Sequence, residues 1–234
     1  MNRRSDFAHV AALIPLILAG STYAINAYSG YEAFPFYRTA SSIPRGGWYA
    51  GVSITPWEFE HYPSGCDDYF FFEPELSVRY GVCDHGDIGF NIYPDAPGFG
   101  IDGIHQFSQG NMDWAAGGRA SYSWYNSFNA GRLEISPRVI VSNDEKPKPV
   151  PYAVNLGLSY NLNRSSYGTE GGSSVGSTLG IVGGVGIPYK FDFDSRQFKV
   201  QPEIDLHLRV WNSSSLSYTP TFEGSAGVEL SYRF

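Results

Sequence analysis

Phe198-Lys199-Val200-Gln201-Pro202-Glu203-Ile204-Asp205-Leu206-His207-Leu208-Arg209-Val210-Trp211 alternates from end to end. Phe198, Val200, Pro202, Ile204, Leu206, Leu208 and Val210 share one parity; Lys199, Gln201, Glu203, Asp205, His207 and Arg209 share the other. Successive strand residues point to opposite faces, so the stretch reads as a ribbon with one apolar and one charged side. Ordinary soluble strands have about five or six residues. A tilted strand that crosses a bilayer places about 9–11 in lipid, and this ribbon is of that length.

The same period recurs along the chain. Phe222, Gly224 and Ala226 lead into Val228, Leu230, Tyr232 and Phe234, opposite Gly227, Glu229, Ser231 and Arg233. Tyr152 to Leu162, Leu133 to Val141, Phe72 to Tyr80 and Val175 to Tyr189 behave alike, the last with mostly Gly, Ser and Thr on its second face. Trp48 to Pro56, Ile88 to Tyr93 and Trp114 to Tyr122 are weaker; in Phe99 to Phe107, Ile104 falls out of phase with Ile101. Together these segments predict ten strands. Pro56, Pro74, Pro137, Pro188 and Pro202 are expected at strand ends or bulges, because proline gives no ladder hydrogen bond.

The composition suits strands: 27 Gly, 17 Tyr, 16 Phe and 5 Trp against 17% charged residues in 234. The net charge is −7 without a Lys/Arg cluster, which argues against a nucleic-acid partner. No apolar run after the start is long enough for a spanning helix. The start itself, residues 1–24, reads as a cleaved signal peptide: Arg3-Arg4, an apolar run from Phe7 to Gly20, and small residues at Thr22 and Ala24. The apolar run is too short for an anchor, which needs about 20 residues. Residues 25–46 are expected as a periplasmic lead-in and 47–234 as the barrel.

The predicted connections alternate between tight and longer. Cys83 to Gly86, Ser108 to Asn111, Asn143 to Pro149 and Asp192 to Arg196 form one set. Trp57 to Asp68, Pro94 to Gly98, Tyr125 to Ala130, Asn163 to Ser173 and Asn212 to Pro220 form the other. Short periplasmic turns and longer outer loops alternate this way in outer-membrane barrels. A soluble β-sandwich also has alternating strands. Lipid is favoured because aromatics gather at strand ends (Trp48, Trp57, Tyr80, Tyr93, Phe107, Trp124, Tyr152, Tyr160, Tyr189, Phe198, Trp211, Tyr232 and Phe234) as interface girdles do, and because few helices or covering loops are available for so many apolar faces. In hydrocarbon a sheet can span only when closed. The expected fold is therefore all-β: a closed antiparallel up-and-down transmembrane barrel of about ten strands.

The ending Ser225-Ala226-Gly227-Val228-Glu229-Leu230-Ser231-Tyr232-Arg233-Phe234 resembles the C-terminal assembly signal of bacterial outer-membrane β-barrel proteins, with Ser225, Gly227, Leu230, Tyr232 and the terminal Phe234 in matching places. The resemblance implies delivery to the barrel-assembly machinery in the outer membrane and contact with its lipid; a monomer is the separate expectation.

Glu73, Glu75, Arg79, Asp113, Arg119, Glu134, Arg138, Lys199, Glu203, Asp205, His207, Arg209, Glu229 and Arg233 fall on the wet parity and are expected to pair across the lumen, because an unpaired charge in a low-dielectric interior is costly. A plugged, salt-bridged scaffold follows from this. The Gly, Ser and Asn of the strands from Tyr152 and Val175 leave one side of the lumen roomy, which keeps a small passive channel open as an alternative. A hydrolase is the third reading: His61, Asp67 and Asp68 share the first outer loop with Glu58, Glu60 and Ser64. His207 is assigned to the lumen network. His85 and His105 have no evident functional partner. No phosphate loop, cofactor fingerprint or paired metal-ligand spacing is evident, so neither cofactor nor metal is expected. Cys66 and Cys83 lie at opposite ends of one spanning strand and are not expected to bond. The expectation is a non-enzymatic outer-membrane protein, structural or presenting its loops.

Overall fold

Alternation along each strand becomes closure between strands. The computed structural model describes residues 36, 38–62, 65–94, 98–125, 130–143, 150–167, 172–193, 196–213 and 221–233. Its strands are β1 (Trp48–Tyr62), β2 (Gly65–Cys83), β3 (Gly86–Tyr93), β4 (Gly98–Ser108), β5 (Asp113–Tyr125), β6 (Ala130–Ser142), β7 (Ala153–Tyr167), β8 (Gly172–Gly186), β9 (Tyr189–Phe193), β10 (Arg196–Asn212) and β11 (Thr221–Arg233). Each pairs antiparallel with its neighbour, and β11 returns to β1 with Tyr49 opposite Arg233 and Ile54 opposite Val228. β8 and β9 both pair with β10, in one continuous register: Gly186 faces Glu203 and Tyr189 faces Val200. They are one stave interrupted at Ile187-Pro188, so the barrel closes with ten strands.

The prolines sit where the ladders spare them. Pro56 lies at the register shift of β1 against both neighbours. Pro74 lies beyond the last β2–β3 pair, Leu76 with Ile92. The β6–β7 ladder skips from Ile135–Tyr160 to Arg138–Gly157 around Pro137. Pro202 faces the break at Pro188, where the Ile187 amide donates to the Pro202 carbonyl (3.0 Å). A missing N–H is harmless at such positions.

Burial follows parity. On β10, Gln201, Glu203, Asp205 and His207 are buried while Pro202, Ile204, Leu206 and Leu208 are exposed. Leu156 (62%), Val175 (63%) and Ile101 (57%) stand bare on the outer wall. An apolar surface that continues around the whole barrel has to be covered, and acyl chains cover it. Aromatic contacts mark both rims. Trp48 packs on Tyr80 (4.6 Å) and Phe198 on Tyr232 (4.9 Å) at the end holding both barrel termini; Phe99 and Tyr122 meet Trp124 (5.8 and 4.9 Å) at the other. Tyr93 departs from the expected girdle. Ile88, Phe90 and Ile92 point outward, so Tyr93 points in and is 4% exposed.

Two further expectations change. The predicted loop Trp57 to Asp68 is a strand extension: β1 runs to Tyr62 and β2 starts at Gly65, with His61 opposite Cys66 and Glu60 opposite Asp67. β5–β6 and β7–β8 extend likewise, so the two ends differ more in strand overhang than in loop length. Antiparallel pairing satisfies the backbone as well in water as in lipid, and polar sequence alone does not end it. Cys66 and Cys83 thus lie at opposite ends of an unbroken β2, on the order of 50 Å apart at the usual strand rise, and Cys83 is a free thiol.

The described residues of the expected periplasmic lead-in lie inside the barrel instead. Phe36, Arg38, Thr39, Ala40 and Ile43 are buried. The segment enters at the mouth that holds the barrel termini, where Gly46 N–H donates to the Gly81 carbonyl (2.9 Å) and Gly81 N–H to the Gly47 carbonyl (3.0 Å). Its polar groups are matched there by the wet face of the wall, which water outside would have served equally; the apolar residues on that face, described below, decide for the lumen. Entry depends on Gly81: a Cβ there would lie 2.1 Å from the Pro44 oxygen and 2.6 Å from that of Ile43. Gly81→Val should therefore displace residues 38–46 while leaving the outer wall intact. Trypsin should cut the refolded variant after the normally buried Arg38, and heat-modifiable gel migration should be retained; an uncut variant would show that the segment does not depend on this contact.

Candidate functional site

The site is the lumen, built from the inward parity of the strands and from the strap, of which residues 36 and 38–46 are described. At the mouth, the Ile43 amide donates to Asp87 Oδ2 (2.9 Å). Arg38 pairs with Asp87 and lies 3.5 Å from Asp102 Oδ1. Deeper in, the Ala40 amide donates to Ser142 Oγ (3.0 Å) and the Phe36 amide to Glu203 Oε1 (3.1 Å). The Phe36 ring lies 4.6 Å from the Arg138 guanidinium and 5.7 Å from that of Arg119, within cation–π reach. Phe36 and Ala40 join Ile104, Ala115 and Ile140 in an apolar cluster within the wet face. That explains Ile104: it breaks the phase of β4 because the strap needs an apolar seat.

The charges form several clusters along the lumen wall. On the β2–β5 side, Arg79 donates to Asp102 (2.7 Å), Asn91 also donates to Asp102 (2.8 Å), and Arg119 holds Glu75 through two bonds of 3.2 Å. On the other side Arg138 donates to Asn155 (2.6 Å) and Asp205 (2.9 Å), Asn155 donates to Glu203 (3.1 Å), and Gln201 donates to Glu203 (2.7 Å). Lys199 pairs with Glu229 (2.9 Å), and Arg132, 3.8 Å from Glu134, donates twice to Asn161 (3.1 and 3.0 Å). Further along, Ser159 Oγ lies 2.7 Å from His207 Nε2, His207 Nδ1 lies 3.1 Å from Glu223 Oε2, and Arg209 also holds Glu223.

Of the residues singled out in the sequence, Glu75, Arg79, Asp113, Arg119, Glu134, Arg138, Glu203, Asp205, His207 and Glu229 are buried in the lumen, while Lys199, Arg209 and Arg233 are half-buried. The side chains of Glu73, His61, Asp67 and Asp68, and all of Phe234, lie outside the described residues. Ser225 is buried, Leu230 faces outward at 48% exposure, and Tyr232 packs on Phe198. Sequence reasoning missed Arg38, Asp87, Asp102, Arg132 and Glu223, and read the Asn and Ser residues of the strand from Tyr152 (Asn155, Ser159 and Asn161) only as leaving room in the lumen. Asp102 and Glu223 stood on the inward parity beside Ile101 and Phe222, so parity alone would have found them. Arg38 carried no such signal.

The room expected beside β8 is occupied. A Cβ on Gly180 would lie 1.9 Å from His207 Nε2, and one on Gly184 would lie 2.5 Å from Asp205 Oδ1 and 2.6 Å from Asn155 Nδ2. These glycines make space that the larger polar side chains of β7 and β10 fill.

No family model matches the sequence, and no curated protein matches it. Among solved structures, the chain is similar to Neisserial surface protein A (14% identity, TM-score 0.38, covering 78% of this chain and 95% of that one). It is also similar to the attachment invasion locus protein Ail of Yersinia pestis (11%, 0.35, 81% and 99%) and to the outer membrane protease OmpT from Escherichia coli (10%, 0.43, 80% and 97%). Likeness this distant transfers no activity.

Removing one partner of a buried pair strands the other, at a typical cost of about 3–5 kcal/mol, whereas replacing both by apolar groups is often near neutral. Arg138→Leu should therefore destabilise the barrel strongly, and Arg138→Leu with Asp205→Leu should recover most of the loss, as read from denaturant unfolding of the refolded protein. Additive losses in the double variant would mean that the pair is not coupled. With its ring of paired strands, aromatic rims and bare apolar wall, the chain has the architecture of a closed transmembrane β-barrel, the fold shared by the outer-membrane proteins it is similar to.

Proposed function

We propose that the protein is a sealed, non-conducting and non-enzymatic outer-membrane barrel, a monomeric scaffold delivered by the barrel-assembly machinery, whose work is done by the hairpins presented at its outer end. The carrying observation is the strap. Its Phe36 sits between Arg119 and Arg138, and its Arg38 pairs with Asp87 beside Asp102, so backbone and paired charge fill the lumen where a pore would need water.

In planar bilayers the native protein should give no stepwise conductance. Phe36→Ala with Arg38→Ala should introduce openings, because it removes the ring and the cation that seat the strap. Native openings that change size with Glu203 or Arg209 substitution would replace the sealed reading by the channel reading.

A hydrolase reading has one specific observation in its favour. Ser159, His207 and Glu223 have the connectivity of a nucleophile, a base and an orienting acid, and the nearby Asn161 Nδ2 is a buried donor without a hydrogen-bond partner. Against it, Ser159 is 1% and His207 0% exposed, so a substrate carbonyl has no approach to the hydroxyl. A buried polar chain of this kind also satisfies its own hydrogen bonds without any chemistry. A small fluorophosphonate should leave the refolded protein unlabelled; labelling abolished by Ser159→Ala would make it an enzyme.

A further inference from the structure

At the end opposite the barrel termini, β2 outruns its neighbour: it has 19 residues and β3 only 8. Their ladder ends at Leu76 opposite Ile92, while β1 follows β2 to Gly65, opposite Tyr62. Among the described residues, the stretch 65–73 therefore has a strand on one side only. The residues that link Tyr93 to its own partner Gly98 can cover about two residues of that edge, at about 3.5 Å each out and back. The whole edge is about 30 Å long at the usual strand rise. Phe99 of the aromatic rim lies in the row of Ile92 and Leu76, so the edge begins where the rim ends. Hydrocarbon tolerates no unpaired backbone, which requires the edge to stand clear of it.

Strand geometry tells which groups are open. Gly81 turns its N–H and C=O to Gly47 and Gly46, on the β1 side. These directions alternate along a strand, so Cys66, Asp68, Phe70 and Phe72 turn theirs to the open side. Pro74, next in that set, has no N–H, and the β3 ladder stops short of it. Such an edge is a template for one more strand, and Tyr69-Phe70-Phe71-Phe72 favours that conformation.

The sequence selects the strand that can be added. Residues 57–75 contain Glu58, Glu60, Asp67, Asp68, Glu73 and Glu75, and neither Lys nor Arg. The other connections at this end, residues 94–98, 125–130, 163–173 and 212–220, add Asp95 and Glu170 against Arg164. Of the wall cations towards that end, Arg132 holds Asn161 and Arg209 holds Glu223. A second copy would bring the same Asp67, Asp68 and Glu73 against themselves, and like charges across a pair are unfavourable.

We propose that the open edge of β2, residues 65–73, takes up an extended basic peptide segment of a partner protein as an added strand. Backbone hydrogen bonds supply affinity, and the carboxylates select a cationic partner. The proposal rests on the reading that the outer hairpins do the protein's work, and names what they bind.

The test is a fluorescence-anisotropy titration of a labelled nonapeptide of alternating Lys and Val with the refolded full chain in zwitterionic detergent. Saturable binding is expected. Methylating every peptide amide keeps the charge but removes the donors, and should weaken binding about tenfold or more. Phe70→Pro should do the same, because proline is tolerated on an open edge yet brings it no donor. Phe70→Val, which keeps the donor, should bind as the native protein does. Heat-modifiable migration checks that both variants are folded. Asp67→Asn with Asp68→Asn should weaken binding at fixed ionic strength, where screening is constant. No binding, or equal binding of the methylated peptide, of a Glu and Val peptide, or by Phe70→Pro, would overturn the proposal. A native dimer that Phe70→Pro dissociates would give the edge to a second copy and overturn it as well. Conductance reads sealing without any peptide, so the two inferences fail separately.

Discussion

Backbone closure is the constraint on which everything else in this molecule depends. Hydrocarbon offers no partner to an amide or a carbonyl, so each must find one within the protein. Ten staves meet that demand only because β11 returns to β1 and because β8 and β9 keep one register across their break. The break is tolerated because two proline positions coincide. Ile187-Pro188 interrupts one strand opposite Gln201-Pro202 on the next, so the absent donors fall at the same break in the ladder.

Closure then forces every second residue inward, and the lumen inherits a second constraint. Buried charges must be paired, and a wall of fixed register cannot bring every pair together by itself. Glycine supplies the adjustment. Gly180 and Gly184 leave room over β8 for His207, Asp205 and Asn155, which lets residues of β7 and β10 meet across an intervening strand. Side-chain size on one strand thus decides hydrogen bonding between its two neighbours.

The wall was legible in the sequence because parity is a local property. Ile204 and Asp205 reveal their faces without reference to anything distant, and so do most residues of β2, β6, β7 and β11. The interior partners were less legible because pairing depends on tilt and stagger, which no single strand encodes. Arg119 meets Glu75 across two strands, and Arg138 meets Asp205 across another two. The strap was the least legible element, since residues 36–46 carry no period at all. Its trace lay in the wall. Ile104 and Ile140 are apolar residues on a wet face, at 5% and 0% exposure, and each marks where something other than water must sit.

The strap also completes the charge balance of the wall. An eight-stranded interior is just wide enough for side chains to fill, and ten strands leave more to occupy. On the β2–β4 side the wall presents Asp87 and Asp102 with Arg79 as their cation, one positive charge against two negative. Arg38 of the strap supplies the missing charge, in contact with Asp87 and near Asp102. Without it a carboxylate would be buried uncompensated or would have to take up a proton. The wall sequence therefore presupposes the strap, as the strap's buried guanidinium presupposes those two carboxylates. Barrel and strap are one folding unit, and Gly81 is the point at which the chain is allowed to pass from one to the other.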